Sequence, residues 1–301
     1  MFEPNFGTGL WIDRPDAEQI LGSITASSQT KDALRSLIRD GLAVIRGAHA
    51  PDLCQKVIAD YQRYVECHRD YVMQNLDMLG REKRLVNFHF WSPAATQIGT
   101  SRQIMEILDL IFDTETSVYT SLTFKYGTQQ PVHRDTPHFA TWPPKRFAGV
   151  WTALETVCPE AGPLFYHAGA HRFSLDPQRF MSDAIQRLPS AQISEQLLMA
   201  LDLYNGEVIR TAPIVSDAKS LELHIGDTVI WHPELPHGGS PAADPHRTRW
   251  SIVFHCAPAN VQVHQHDAFF AHLGPEPPAP RYGYRNANGR KIAVAGEIAF
   301  M

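Results

Sequence analysis

Gln130-Pro-Val-His133-Arg-Asp135-Thr, followed about a hundred residues later by His237 and then by Arg249, contains the side chains of this chain best suited to act together on one reaction. Two imidazoles and one carboxylate are the ligand set of a mononuclear non-haem Fe(II) centre that leaves three coordination positions open. An arginine soon after the second histidine is what such a centre needs to hold the far carboxylate of a 2-oxo acid. The order His-x-Asp … His … Arg points to an oxygenase that consumes 2-oxoglutarate and O2.

The chain carries two His-x-Asp pairs, His68-Arg-Asp70 and His133-Arg-Asp135. The first falls at the end of a helical pattern, where residues two apart point to different faces. The second follows a β-rich run and Gly127, and in extended chain residues two apart share a face. Only the second pair can close on one ion without bending the backbone. His232 and His237 compete for the third position. His237 is preferred because it stands where a strand ends, beside Gly238-Gly239, whose missing side chains permit close approach. In the run from Arg249 to His255, strand alternation puts Arg249, Ser251 and Val253 on one face. Trp250, Ile252 and Phe254 take the other, against helices.

The elements that must position these residues are legible in outline. Asp32–Ile38 reads as a helix and Leu42–Ile45 as a strand. From Pro51, the apolar residues Leu53, Val57, Ile58, Tyr61 and Val65 recur at helical steps, as do Ile104, Ile107, Leu108, Ile111 and Phe112 after Ser101. Short β-rich runs follow at Ser117–Tyr126, Phe147–Leu154, Gly162–His167, Asp227–Trp231 and Arg249–His255. Pro177–Tyr204 reads as a helical insertion, and the tail containing Pro275-Glu-Pro-Pro-Ala-Pro as a wrapped extension. The predicted fold is mainly β with supporting helices: a jelly roll in one domain spanning 1–301. In it, 1–116 is mainly helical support, 117–256 the core and 257–301 a C-terminal extension.

Composition excludes several functions. A formal charge of −5 and a pI near 6.3 offer no basic face to nucleic acid or to an anionic membrane. No apolar run approaches a membrane span, and the first residues lack the features of a signal peptide. Cys54, Cys67, Cys158 and Cys256 are widely spaced, as expected for reduced thiols in a cytoplasmic protein.

Taken together, these blocks resemble the phytanoyl-CoA dioxygenase (PhyH) family of 2-oxoglutarate oxygenases. The matching stretches are Gln130-x-x-His133-x-Asp135-Thr, Gly149-Val-Trp-Thr-Ala-Leu-Glu155 and Gly162-Pro-Leu-Phe-Tyr-His-Ala-Gly-Ala-His-Arg172. Gly226-Asp-Thr-Val-Ile-Trp-His-Pro-Glu-Leu-Pro-His237-Gly and Arg249-Trp-Ser-Ile complete them in the family's order. The resemblance implies a double-stranded β-helix, cupin-like in shape, with Fe(II) held by His133, Asp135 and His237. Arg249, with Ser251, anchors 2-oxoglutarate, and Gln130 and Trp151 join them in the co-substrate pocket. Related halogenases carry a small residue where Asp135 stands, so hydroxylation is expected over halogenation. Two positions depart from the family's habit: Ala168-Gly-Ala-His171 lacks a serine, and Gly239 precedes Ser240 where a serine is frequent.

The expected activity is hydroxylation of a small-molecule metabolite, with release of succinate and CO2. Two alternatives stand beside it: a cupin-like isomerase or lyase that uses the triad without a 2-oxo acid, and a non-catalytic binding protein. The first gives Arg249 no task, and retention of all three candidate ligands and the arginine argues against the second. A free metabolite is favoured as substrate because no long basic stretch marks a coenzyme A phosphate site. His138, Phe139 and Trp142, and the aromatic loop Asn87–Trp91 as a lid, are candidates for contact with it. Lys125, Arg134, Lys145 and Arg172 could attract an anion, but most of them are expected to be solvated surface.

Overall fold

The computed structural model describes residues 9–264, 269–270, 283–294 and 298–301. Its helices are α1 (Ala17–Ser23), α2 (Ser28–Asp40), α3 (Pro51–Cys67), α4 (Arg69–Met73), α5 (Pro93–Gly99), α6 (Arg102–Phe112), α7 (Pro177–Arg187) and α8 (Ile193–Val215). The first strands are β1 (Leu42–Ile45), β2 (Leu85–Val86), β3 (Thr116–Tyr126), β4 (Thr141–Trp142), β5 (Ala148–Ala153), β6 (Leu164–His167) and β7 (Ala218–Ser220). They continue with β8 (Thr228–Trp231), β9 (His237–Gly239), β10 (Thr248–Pro258), β11 (Gln262–Val263), β12 (Gly283–Ala287), β13 (Arg290–Val294) and β14 (Ala299–Phe300).

The large sheet runs β1-β8-β5-β10-β3-β13-β12, with β2 added on β3 and β14 on β2. A smaller sheet, β7-β6-β9, stands apart from it, and the two do not close into a barrel. This is the expected jelly-roll arrangement with helices packed outside. Period-2 alternation fixes what each face does. Val150, Ile230, Trp250, Ile252 and Phe254 join one core cluster with α2, α3 and α6. Trp151, Val229, Trp231 and Val253 from the same strands join Leu164 and Tyr166 of the small sheet in a second cluster. The functional cavity opens into this second layer.

Helix boundaries show what the sequence pattern did and did not fix. α2 starts earlier than its predicted Asp32 because the Ser27 hydroxyl caps it by accepting from the Thr30 amide, and it stops at Gly41 in the left-handed conformation. On α3 the buried stripe is Cys54, Val57, Tyr61 and Tyr64, while Leu53, Ile58 and Val65 lie only partly buried at its flank. The insertion is two helices rather than one, and α8 runs past Tyr204. Asn205-Gly206 looks like a stop, yet Ala200, Tyr204, Val208 and Ala212 keep one buried face going through it. The Pro-rich part of the tail lies outside the described residues. Beyond it, β12 and β13 form a hairpin against β3, and β14 pairs with β2, so the extension adds strands to the large sheet.

Candidate metal centre

His133 reaches the small sheet through an isolated antiparallel bridge to His237 on β9. Leu164, Phe165 and Tyr166 of β6 pair with Gly239, Gly238 and His237, so this bridge extends the sheet by one residue pair. The two imidazoles therefore stand side by side, with ring centroids 4.6 Å apart. Asp135, two residues on, turns its carboxylate toward both: Oδ1 lies 3.7 Å from His133 Nε2 and Oδ2 lies 3.8 Å from His237 Nε2. His133, Asp135 and His237 are the cluster of potential metal ligands found among the described residues.

The protonation pattern is fixed by backbone carbonyls, which can only accept. His133 Nδ1 donates to Pro131 O at 2.8 Å and His237 Nδ1 donates to Leu235 O at 2.9 Å. Both Nε2 atoms are thus left as lone-pair donors facing the carboxylate. Burial, then the neighbouring His237, pushes the His133 pKa down to about 4, which keeps the ring neutral. Burial by itself raises the Asp135 pKa. The hydrogen bond it accepts from His255 acts the other way and helps hold the carboxyl below the usual range. Asp135 Oδ2 accepts from Trp231 Nε1 at 2.9 Å and from His255 Nε2 at 3.2 Å. Three electron-pair donors thus face one another at separations too long for hydrogen bonds. An octahedral face with ligand bonds near 2.1 Å has edges of roughly 3 Å, so slight closure fits a divalent ion. A ligand set of two imidazoles and one carboxylate suits iron.

The other expected residues fall around the same space. A cavity of about 540 Å³ is lined by Gln130, His133, Asp135, Trp151, His237 and Arg249, among others. Arg249 is buried; Nη1 donates to Gly162 O, and Nε has no hydrogen-bond partner. No carboxylate pairs with it among the described residues, and burial lowers its pKa to about 10. Trp151 is at once core and cavity wall. Ser251 does not reach the cavity wall: its hydroxyl donates to Arg249 O at 3.3 Å. His232 is a satisfied buried histidine, its Nε2 3.2 Å from an Asp13 carboxylate oxygen. His68 and Asp70 are exposed at the start of α4.

Several expectations need correction. Gly238 and Gly239 permit close approach, but to chain rather than metal: a Cβ on Gly238 would sit 2.8 Å from Gln130 O, and one on Gly239 would sit 3.3 Å from Gln129 N. Phe88 and His89 of the proposed lid are buried in the helix-side core, which leaves Asn87 as the member at the cavity. Of the basic residues, only Arg172 is exposed, with its guanidinium donating to Ile38 O; Lys125 is half-buried and pairs with Glu82. Arg134, fully buried, pairs with Glu234 at 2.9 Å, and Lys145 lies 3.3 Å from the same carboxylate. Sequence reasoning also passed over His255. Counting alternation two residues beyond Val253 puts it on the inward face.

Residues 37–250, well over half of the 301, match the model of the phytanoyl-CoA dioxygenase (PhyH) family. The chain belongs to that family. No curated protein sequence is a match. Solved structures of similar fold include EctD from S. alaskensis with bound Fe, at 14% identity and TM-score 0.63, covering 88% of this chain and 86% of that one. The epimerase SnoN, in complex with Fe3+, alpha ketoglutarate and nogalamycin RO, is 16% identical with TM-score 0.60, covering 88% of this chain and 98% of that one. The carbocyclase SnoK from nogalamycin biosynthesis is 15% identical with TM-score 0.59, over 86% and 95%. At these identities the likeness is one of fold. No helix among the described residues is long and apolar enough to cross a membrane.

Proposed function

We propose that this PhyH-family protein is an Fe(II)- and 2-oxoglutarate-dependent dioxygenase that hydroxylates a small-molecule metabolite. His133, Asp135 and His237 hold the metal, and Arg249 holds the distal carboxylate of the co-substrate. The observation that carries the reading is the buried guanidinium of Arg249, unpaired with any described acid, opening on the same cavity as three convergent metal donors. A buried cation of this kind needs an anion, and a planar fork suits a carboxylate. Bound together, iron and 2-oxoglutarate supply the oxidising chemistry, using O2 and releasing succinate and CO2.

The chain's own residues do the positioning. Gly162 O fixes one arm of Arg249, and Arg249 lines the cavity. Trp231 and His255 hold one oxygen of Asp135, which orients the carboxylate between the imidazoles. Trp151, Leu164 and Val253 give the cavity apolar walls that exclude water from the co-substrate. An isomerase or lyase that uses no 2-oxo acid gives Arg249 nothing to bind. Epimerisation and ring closure, named for SnoN and SnoK, are outcomes the product analysis separates from hydroxylation.

Anaerobic titration with Fe(II) and 2-oxoglutarate is expected to give a weak visible band near ~500 nm. Asp135→Ala should abolish it. Arg249→Ala should weaken 2-oxoglutarate far more than metal. A band unchanged in Asp135→Ala, or equal loss of both ligands in Arg249→Ala, defeats the assignment. Under air, 2-oxoglutarate turnover with a product that gains one oxygen atom identifies hydroxylation.

A further inference from the structure

The cavity contains a second guanidinium that the proposed chemistry does not use. Arg84 lies one residue ahead of β2 and lines the cavity with Val86, the next residue on the same strand face. Leu85 between them turns into the helix-side core. β2 pairs with β3 through Leu85 opposite Thr123 and Val86 opposite Leu122, a register that brings Arg84 beside Phe124. Phe124 pairs in turn with Ser251 on β10. Two interstrand spacings thus separate the backbone of Arg84 from that of Ser251, roughly 10 Å. Arg84 is half-buried, its guanidinium makes no hydrogen bond and no close ion pair among the described residues, and its Nε has no partner; the acid it feels is Asp135, already committed to the metal site. Its neighbours Lys125 and Arg81 are matched by Glu82 and Asp77; Arg84 is not.

The charges of the loaded site leave Arg84 over. Asp135 and the two carboxylates of 2-oxoglutarate balance a divalent metal together with Arg249. One cation then remains, on the wall formed with Val86, Leu122 and Phe124. A half-buried guanidinium on an apolar wall gains from an anion of its own, and its fork matches an oxyanion. We infer that the primary substrate carries an oxyanion, carboxylate or phosphate, on an apolar frame, and that Arg84 binds this group and thereby sets substrate specificity. The inference rests on the oxygenase reading, because the charge count assumes the loaded site.

The test is a titration, anaerobic and with saturating Fe(II) and 2-oxoglutarate, of matched probes followed by calorimetry or ligand-observed NMR. Cyclohexanecarboxylate is compared with cyclohexanecarboxamide, and cyclohexyl phosphate with cyclohexanol; the two pairs separate a carboxylate source from a phosphate one. At least one acid is expected to bind about tenfold to a hundredfold tighter than its neutral partner. Arg84→Gln should erase that preference while leaving the 2-oxoglutarate band intact, and Arg84→Lys should keep part of it. No guanidinium hydrogen bond is lost in these variants, and a normal thermal unfolding curve checks that they fold. Equal binding of acid and neutral probe, no binding of either acid, or a preference that survives Arg84→Gln overturns the inference. Repeating the comparison of wild type and Arg84→Gln without metal or co-substrate separates this failure from that of the oxygenase reading, because Arg249 is unchanged in both.

Discussion

His133 and His237 are each other's backbone partners: His133 N donates to His237 O at 2.9 Å and His237 N donates to His133 O at 3.0 Å. A loop residue and a strand residue 104 positions apart are thereby locked side by side, and the spacing of two metal donors becomes a property of the backbone. The next residues tighten the same junction. Gly239 N donates to Gln130 O at 3.0 Å, and a Cβ on Gly238 would meet that oxygen at 2.8 Å.

Gly238→Ala is therefore expected to pry the bridge open, since a backbone oxygen cannot swing aside as a side chain can. Metal affinity should fall roughly tenfold to a hundredfold, the range found when a supporting contact around a metal is lost. Metal retention after dialysis against a weak chelator measures it. Affinity equal to wild type would mean that the bridge does not set the donor spacing.

A second glycine supports the carboxylate. Gly149 pairs with Trp231 across β5 and β8, and a Cβ there would lie 2.1 Å from the indole ring. The same indole donates to Asp135 Oδ2. Gly149→Ala is expected to displace the ring, release one oxygen of Asp135 and weaken metal binding. Trp231→Phe, which keeps a ring but removes the donor, should reproduce part of that loss with little change in stability. If Gly149→Ala unfolds the protein while Trp231→Phe binds metal normally, the indole is packing alone.

These supports explain what could be read in the sequence and what could not. The choice of His133-Arg-Asp135 over His68-Arg-Asp70 follows from backbone geometry, because helical and extended residues two apart diverge or coincide. Arg249 follows from strand alternation, and His255 was within reach of the same count. The partners of Asp135 were less accessible, since Trp231 and His255 meet it from 96 and 120 residues away in sequence. Arg134 was misread because a charged residue in a polar run reads as surface unless its distant partner, Glu234, is known. Arg84 carried no local signal; its role comes from β14 and β3 flanking β2, pairings over long sequence separations.

The Arg134–Glu234 pair adjoins the ligands in sequence: Arg134 stands between His133 and Asp135, and Glu234 three residues before His237. Arg134 also donates to Ala170 O and Phe173 O, and Thr136 donates to Glu234 Oε1 at 2.6 Å. Burial raises the pKa of Glu234, but Lys145 and Arg134 outweigh it and bring the carboxyl down to about 2. Removing one partner from such a pair leaves an uncompensated buried charge. Glu234→Ala is expected to cost about 3–5 kcal/mol of folding stability in denaturant unfolding. Arg134→Met/Glu234→Leu should recover most of it; a double variant no better than the single one would refute the account.

The histidines buried away from the metal predict an acid limit. Burial lowers the pKa of His49 to about 4, and burial, then Arg285, lowers that of His89 to about 3. His89 is held neutral with Nδ1 2.6 Å from Ser121 Oγ. The unfolded chain, with histidine pKa values near ~6.5, takes up protons first as pH falls, so the folded state loses ground. Stability is complete above that value. Each ring removes about 1.4 kcal/mol per pH unit below it until its folded pKa is reached. From pH 7 to pH 5 the two together should cost about 3–4 kcal/mol. Denaturant unfolding at both pH values measures the difference, and His49→Gln/His89→Gln should reduce it by that amount. A pH dependence identical in the double variant would show that these rings are protonated in the folded protein.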